Sequence, residues 1–245
     1  MNNGIFKSDG NAFVMAVDHP LTMPSPELAD IGRIIREAKE GGVDSFLASY
    51  GCIRHFRDEF GDSGLIMRAD GGATRLSKSA APLHLLYGAE DAGRIGADAV
   101  MCMGYPGSTL NASTVENVAR LASDAHGRRL LMGAEMLPFG FEKPDGIDTR
   151  SVENVSFACR LGAELGADFI KTQFTGGKRF REVTGNCFVP VLVLGGSACK
   201  TEDELLKETE EAMEAGAHGV IMGRNIARSG NVSELCRKIA AIIHG

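Results

Sequence analysis

Eight short apolar runs, each followed by a polar or amphipathic stretch, confine this chain to few folds. They fall at 12–17, 43–48, 65–69, 99–103, 130–134, 169–171, 191–194 and 220–222. Most are apolar without alternation, as in parallel strands buried on both faces. Helical periodicity occupies 26–40, 53–60, 83–95, 114–126, 152–165, 202–215 and 232–243, and a weaker pattern predicts a short helix near 178–183. Ser113-Thr114 and Thr201-Glu202 supply helix N-cap chemistry. Strand and helix in strict alternation predict an α/β protein with a parallel sheet.

A joint repeats along the chain and argues that the sheet closes. Gly42-Val43-Asp44, Gly96-Ala97-Asp98, Gly166-Ala167-Asp168 and Gly216-Ala217-His218 open the second, fourth, sixth and eighth strands. In each, a helix ends on glycine and a strand follows at once. A signal on alternate strands suits a barrel whose interior layers come from alternate strands. The 245 residues match one such barrel, and no linker divides them. The expectation is a single (β/α)8 TIM barrel over residues 1–245. Asp44, Asp98, Asp168 and His218 then lie at the N-terminal rim as structural residues.

Composition removes several classes of function. Net charge is −6 and no basic patch is interleaved with aromatics, which argues against nucleic acid. No apolar run approaches the ~18 residues of a membrane span, and no signal peptide is visible. The six cysteines contain no CxxC pair and several sit in apolar runs, as expected of a reduced cytoplasmic protein. No metal site is expected from these cysteines and the six scattered histidines.

In such a barrel the C-terminal strand ends carry the chemistry. Here they read Asp18-His19, Ser49-Tyr50, Arg68 with Asp70, Tyr105, Glu135, Lys171, Gly195-Gly196-Ser197 and Gly223-Arg224-Asn225. Lys171 is the most informative. Lysine is seldom buried unless paired, and desolvation in a barrel mouth favours the neutral amine, which can attack a carbonyl to form a Schiff base. Arg68, Arg224 and Lys200 are candidate cationic neighbours. Glycines after the seventh and eighth strands let backbone N–H groups approach a phosphate, with Arg224 adding charge. Gly195, Gly196, Ser197, Gly223, Arg224 and Arg68 are therefore the expected substrate- and phosphate-binding residues. His19 is expected to hydrogen-bond a neighbouring loop.

Asp18-His19, Gly166-Ala-Asp-Phe-Ile-Lys171-Thr, Pro190-Val-Leu-Val-Leu-Gly195-Gly196-Ser197 and Gly219-Val-Ile-Met-Gly223-Arg224-Asn225 together resemble the class I aldolases of the archaeal fructose-bisphosphate aldolase (DeoC/DhnA-like) family. The resemblance spans most of the chain, most strongly from Gly162 onward and most loosely between Tyr50 and Gly127. It implies a carbon–carbon lyase in which Lys171 is the Schiff-base lysine. It also implies that Asp18 contacts substrate hydroxyls or assists proton transfer. The substrate would be a small phosphorylated ketose or ketoacid, with no metal or cofactor, in a cytoplasmic homo-oligomer. The family also includes an aminodeoxyheptulosonate synthase and a thiolase acting on phosphorylated autoinducer-2. A coenzyme A-dependent acyl transfer on a phosphorylated dione and a non-catalytic sugar-phosphate-binding barrel are the alternatives.

One departure stands out. The family ends its fifth strand with Tyr-Pro-Arg-Gly and uses that tyrosine as acid and base. Here the run is Met136-Leu137-Pro138-Phe139-Gly140, with Leu137 where the phenol should be. Glu135, on the same face by the strand period, is the first candidate replacement, its pKa raised beside Phe139 and Phe141. It could equally be salt-bridged to Lys171 or Arg68. Tyr105 and Tyr50 follow.

Overall fold

The computed structural model describes residues 4–77, 82–195 and 201–245. Eight parallel strands form a closed barrel: β1 (Ala12–Ala16), β2 (Ser45–Ser49), β3 (Gly64–Arg68), β4 (Ala99–Gly104), β5 (Leu131–Met136), β6 (Phe169–Gln173), β7 (Val191–Leu194) and β8 (Gly219–Met222). Each strand pairs with its neighbours in the chain, and β8 closes on β1 with Ala12 beside Gly219. Val14, Leu47, Ile66, Met101, Phe169, Leu192 and Ile221 form an inner apolar cluster, which Ile5 joins. The opposite strand faces, including Phe13, Phe46 and Met67, pack with the surrounding helices in a larger cluster. The eight-stranded expectation holds.

The repeated joint explains much of the closure. Gly42, Gly96, Gly166 and Gly216 have φ of 92°, 71°, 99° and 86°, the left-handed turn that glycine adopts without a Cβ clash. The aspartate two residues later then bonds back to the preceding strand. Asp44 donates its N–H to the Phe13 carbonyl, and its Oδ2 accepts the Phe13 N–H at 2.6 Å. Asp98 does the same to Leu65 at 2.9 Å, and Asp168 to Met132 at 2.8 Å. The side chain thus satisfies a strand-end donor that the ladder leaves over. At the fourth joint the His218 N–H donates to the Val191 carbonyl.

Three local expectations need correction. The predicted helix 83–95 forms only as Ala89–Arg94, because His84–Leu85 pairs as a short antiparallel strand with Asp70–Gly71. Ser113-Thr114 is not a cap: the helix runs Asn111–Gly127, and Thr114 Oγ1 instead accepts the Tyr105 N–H at 3.0 Å. β5 extends to Met136 and β6 to Gln173, so Glu135 and Lys171 lie inside their strands, not at their ends. Thr201 does cap its helix, in a reciprocal pair with Glu204. The short predicted helix also forms, at Phe180–Asn186.

The stitching predicts a stability effect. Asp168→Ala should cost about 1–3 kcal/mol, the penalty of an unsatisfied strand donor, measured by urea unfolding. An unchanged midpoint would remove the aspartate's side-chain bond from the account.

Candidate active site

A cavity of about 550 Å3 opens at the C-terminal ends of the strands. Lys171, Glu135, Asp18 and Arg68 all line it. Strand alternation puts them there: Asp18 follows the inward-facing Ala16 by two residues, Arg68 follows Ile66, and Glu135 follows Gly133. Register pairs Glu135 directly with Lys171 on the next strand.

These groups form one buried ion network. Lys171 Nζ lies 3.0 Å from Glu135 Oε2. Arg68 donates from Nη2 to the same oxygen at 2.5 Å and from Nε to Asp18 Oδ2 at 2.8 Å. Its Nη1 stands 3.5 Å from Asp70 Oδ1. Asp70 Oδ2 accepts the Met103 N–H at 2.9 Å, which fixes that carboxylate to β4. Relative exposures are 6% for Lys171, 7% for Glu135, 9% for Asp18 and 3% for Arg68, so the charges compensate one another with little help from water.

The electrostatics follow from this packing. Burial alone would raise the Asp18 carboxyl, but Arg68 and then Lys171 outweigh it and bring the pKa down to about 2. Burial also opposes ionisation at Glu135, yet Lys171 and Arg68 hold its carboxyl below the usual range. Burial raises Asp70, and Arg68 offsets only part of that. At Tyr105, burial and then the charges of Glu135 and Asp70 push the phenol up. Burial lowers His19, outweighing Asp18.

Several expectations change. Glu135 does not acquire a raised pKa beside phenylalanines. Phe141 is 80% exposed, and Phe139 turns onto Gly107, where a Cβ would sit 2.8 Å from its ring. The salt-bridge reading of Glu135 holds, with both Lys171 and Arg68 as partners. Arg68 is not available as a phosphate ligand, since its guanidinium is enclosed by Asp18, Glu135 and Asp70. The ring of His19 rests on Gly223, where a Cβ would come within 2.6 Å of its Cε1, and its Nδ1 has no hydrogen-bond partner among the described residues. Tyr50 stacks on Tyr87 at 4.6 Å.

Gly195, Gly223 and Arg224 line the cavity as expected, and Asn225 ties the two loops by donating to the Gly195 carbonyl at 2.9 Å. Gly196, Ser197 and Lys200 lie outside the described residues. Sequence reasoning missed Arg75 and Arg150, two exposed cations on the cavity wall. Both sit in loops with no periodic signal. The Arg75 N–H donates to the Thr22 carbonyl, joining the loops after β3 and β1. Gln173 donates to the Thr149 carbonyl beside Arg150. Among the described residues no cluster of His, Cys, Asp and Glu is arranged to hold a metal ion.

Comparison with known proteins agrees with this geometry. A family model described as DeoC/LacD family aldolase matches residues 12–229. The chain is 32% identical over 252 residues to the class 1 fructose-bisphosphate aldolase of Thermoproteus tenax, covering 98% of this chain and 92% of that one. It is 30% identical over 239 residues to the 2-amino-3,7-dideoxy-D-threo-hept-6-ulosonate synthase of Halobacterium salinarum, covering 97% and 88%. Among solved structures it superimposes, with a TM-score of 0.89 and 29% identity, on an archaeal fructose-1,6-bisphosphate aldolase whose catalytic lysine is covalently bound to the carbinolamine intermediate, covering 98% and 97%. The chain belongs to the DeoC/LacD family and is a class I aldolase, a carbon–carbon lyase.

Proposed function

We propose that Lys171 is the Schiff-base lysine and that the substrate is a small phosphorylated ketose or ketoacid. One observation carries the reading: a lysine only 6% exposed lines the cavity, with its Nζ 3.0 Å from a carboxylate. In the first step the Lys171 amine attacks the substrate carbonyl carbon, and Glu135 receives the proton that the ammonium gives up. Loss of water leaves an iminium, which draws in the electron pair when the adjacent C–C bond breaks and becomes an enamine. The lysine is its own electron sink, so the chemistry calls for no cofactor. Asp18, ionised and fixed by Arg68, accepts a hydrogen bond from a substrate hydroxyl. Relatives named for fructose-bisphosphate and for an aminodideoxyheptulosonate support the substrate class.

The substrate phosphate is assigned to the glycine-rich ends of β7 and β8. Gly195 and Gly223 offer backbone there and Arg224 a cation, with Gly196 and Ser197 next in sequence. We also assign the protein to the cytoplasm and to a homo-oligomer. Exposed Phe157 and Phe188 on the outer surface support self-association.

Borohydride added to the protein with dihydroxyacetone phosphate should leave a mass adduct that maps to Lys171. Lys171→Met should abolish both the adduct and turnover. Turnover persisting in that variant, or an adduct on another lysine, would contradict the assignment.

The depressed Asp18 pKa gives a pH prediction. A carboxyl whose pKa falls on folding stabilises above its unfolded value and loses that contribution as pH drops through the folded one. The stability gap between the unsubstituted protein and Asp18→Asn should therefore be flat above pH ~5, at about 2 kcal/mol. It should close as pH falls from near 3.8 toward about 2. Urea midpoints across that range measure it, and a gap constant to the acid end would contradict the Arg68 pairing.

A further inference from the structure

The strand-five end lacks the phenol that the resembled sequences carry, and the fold supplies one from the neighbouring strand at the same height. Register pairs Gly104 of β4 with Met136 of β5, which sets Tyr105 beside Leu137. The two side chains belong to one apolar cluster and both line the cavity that holds Lys171. Of the three tyrosines, Tyr50 and Tyr87 stack on each other, and Tyr105 alone reaches this cavity.

The loop after β5 is shaped to hold that ring. At Gly140 an added Cβ would come within 2.8 Å of Tyr105 Cγ and Cδ2, so the glycine backbone lies flat on the ring. Phe141 meets it edge-on at 5.7 Å. The Tyr105 N–H is anchored on Thr114 Oγ1 at 3.0 Å. The ring is held on several sides and is only 4% exposed. Its hydroxyl is left poorly served: among the described residues its one acceptor is Met103 Sδ, at 2.6 Å. A buried tyrosine hydroxyl normally finds an oxygen or nitrogen partner, and a thioether is a weak acceptor. A ligand oxygen in the cavity would be a better acceptor for this hydroxyl than the thioether is.

We propose that Tyr105 is a catalytic residue that passes a proton to and from the substrate oxygen on the carbon whose bond to the enamine forms or breaks. The proposal rests on the Lys171 Schiff base. In the bond-forming direction the enamine electron pair attacks the aldehyde carbon. The carbonyl π pair moves to oxygen, and that oxygen takes the Tyr105 proton as the nitrogen becomes iminium. Solvent then returns a proton to the phenolate, which balances the proton that the donor carbon shed when its iminium became the enamine. Cleavage runs the same transfers in reverse. A phenol whose pKa is pushed up stays protonated at neutral pH and matches a nascent alkoxide as a donor.

The test uses the full chain, dihydroxyacetone phosphate, and a panel of short aldehydes including glyceraldehyde 3-phosphate. Tyr105→Phe keeps the ring and its packing. It should still give the borohydride adduct on Lys171, while aldol turnover falls at least ~100-fold, the scale of a lost general acid. Adding Leu137→Tyr to that variant should return at least tenfold. Turnover within threefold of the unsubstituted protein overturns the proposal. So does loss of the adduct in Tyr105→Phe, because the phenol would then be needed before the carbon–carbon step. An unsubstituted protein that forms the adduct but turns over no aldehyde overturns it as well. Absence of the adduct in the unsubstituted protein would instead sink the Schiff-base reading beneath it.

Discussion

The Arg68 guanidinium reaches carboxylates from three parts of the barrel, and the rest of the site depends on that fork. Asp18 comes from the end of β1, Asp70 from just beyond β3 and Glu135 from β5. Taking such groups out of water costs several kcal/mol per ion unless each finds an opposite charge in good geometry. A planar five-donor cation holds several carboxylates in a fixed fork that a compact three-donor ammonium does not reproduce. With Arg68 in place, Asp18 stays ionised and Glu135 is presented to Lys171 from the adjacent strand. The site is thus organised by one residue that need not touch substrate.

The two rims of the barrel divide the labour. At the N-terminal rim, Asp44, Asp98 and Asp168 bind β2, β4 and β6 to the strand before each. Each of those carboxylates accepts a strand N–H, and Asp44 and Asp168 also meet His244 and His126. At the other rim the inward side chains are charged, and the loops interlock through aromatic rings on glycines, Phe139 on Gly107 and Tyr105 on Gly140. Below, the carboxylates meet strand backbone, and Asp44 is also flanked by Lys7 and His244. Above, four buried charged side chains pair with one another.

Much of this was legible in the chain because it is local. Strand runs, the joint glycines and the strand that carries Lys171 depend on neighbours within a few residues, although that strand runs on to Gln173 instead of ending at the lysine. What was not legible depends on contacts across tens of residues. Arg68 read as a phosphate ligand because its link to Asp18, fifty residues earlier, leaves no mark in the sequence, and its link to Glu135, sixty-seven later, was one of two open readings. Of the two readings of Glu135, the salt bridge holds and the push toward neutrality by Phe139 and Phe141 does not. His84-Leu85 followed helical periodicity, yet paired with Asp70-Gly71 as strand. Arg75 and Arg150 sit on the cavity wall through loop paths that no periodicity encodes.

The central claim is that the Arg68 fork sets the geometry in which Lys171 reacts. The rate of borohydride-trapped adduct formation on Lys171 in Arg68→Lys measures it most directly, with circular dichroism confirming that the variant is folded. Lysine keeps the charge but loses the fork, so trapping with dihydroxyacetone phosphate should slow at least ~10-fold, about 1.4 kcal/mol of lost organisation. A folded Arg68→Lys protein that forms the adduct at the unsubstituted rate would contradict the account.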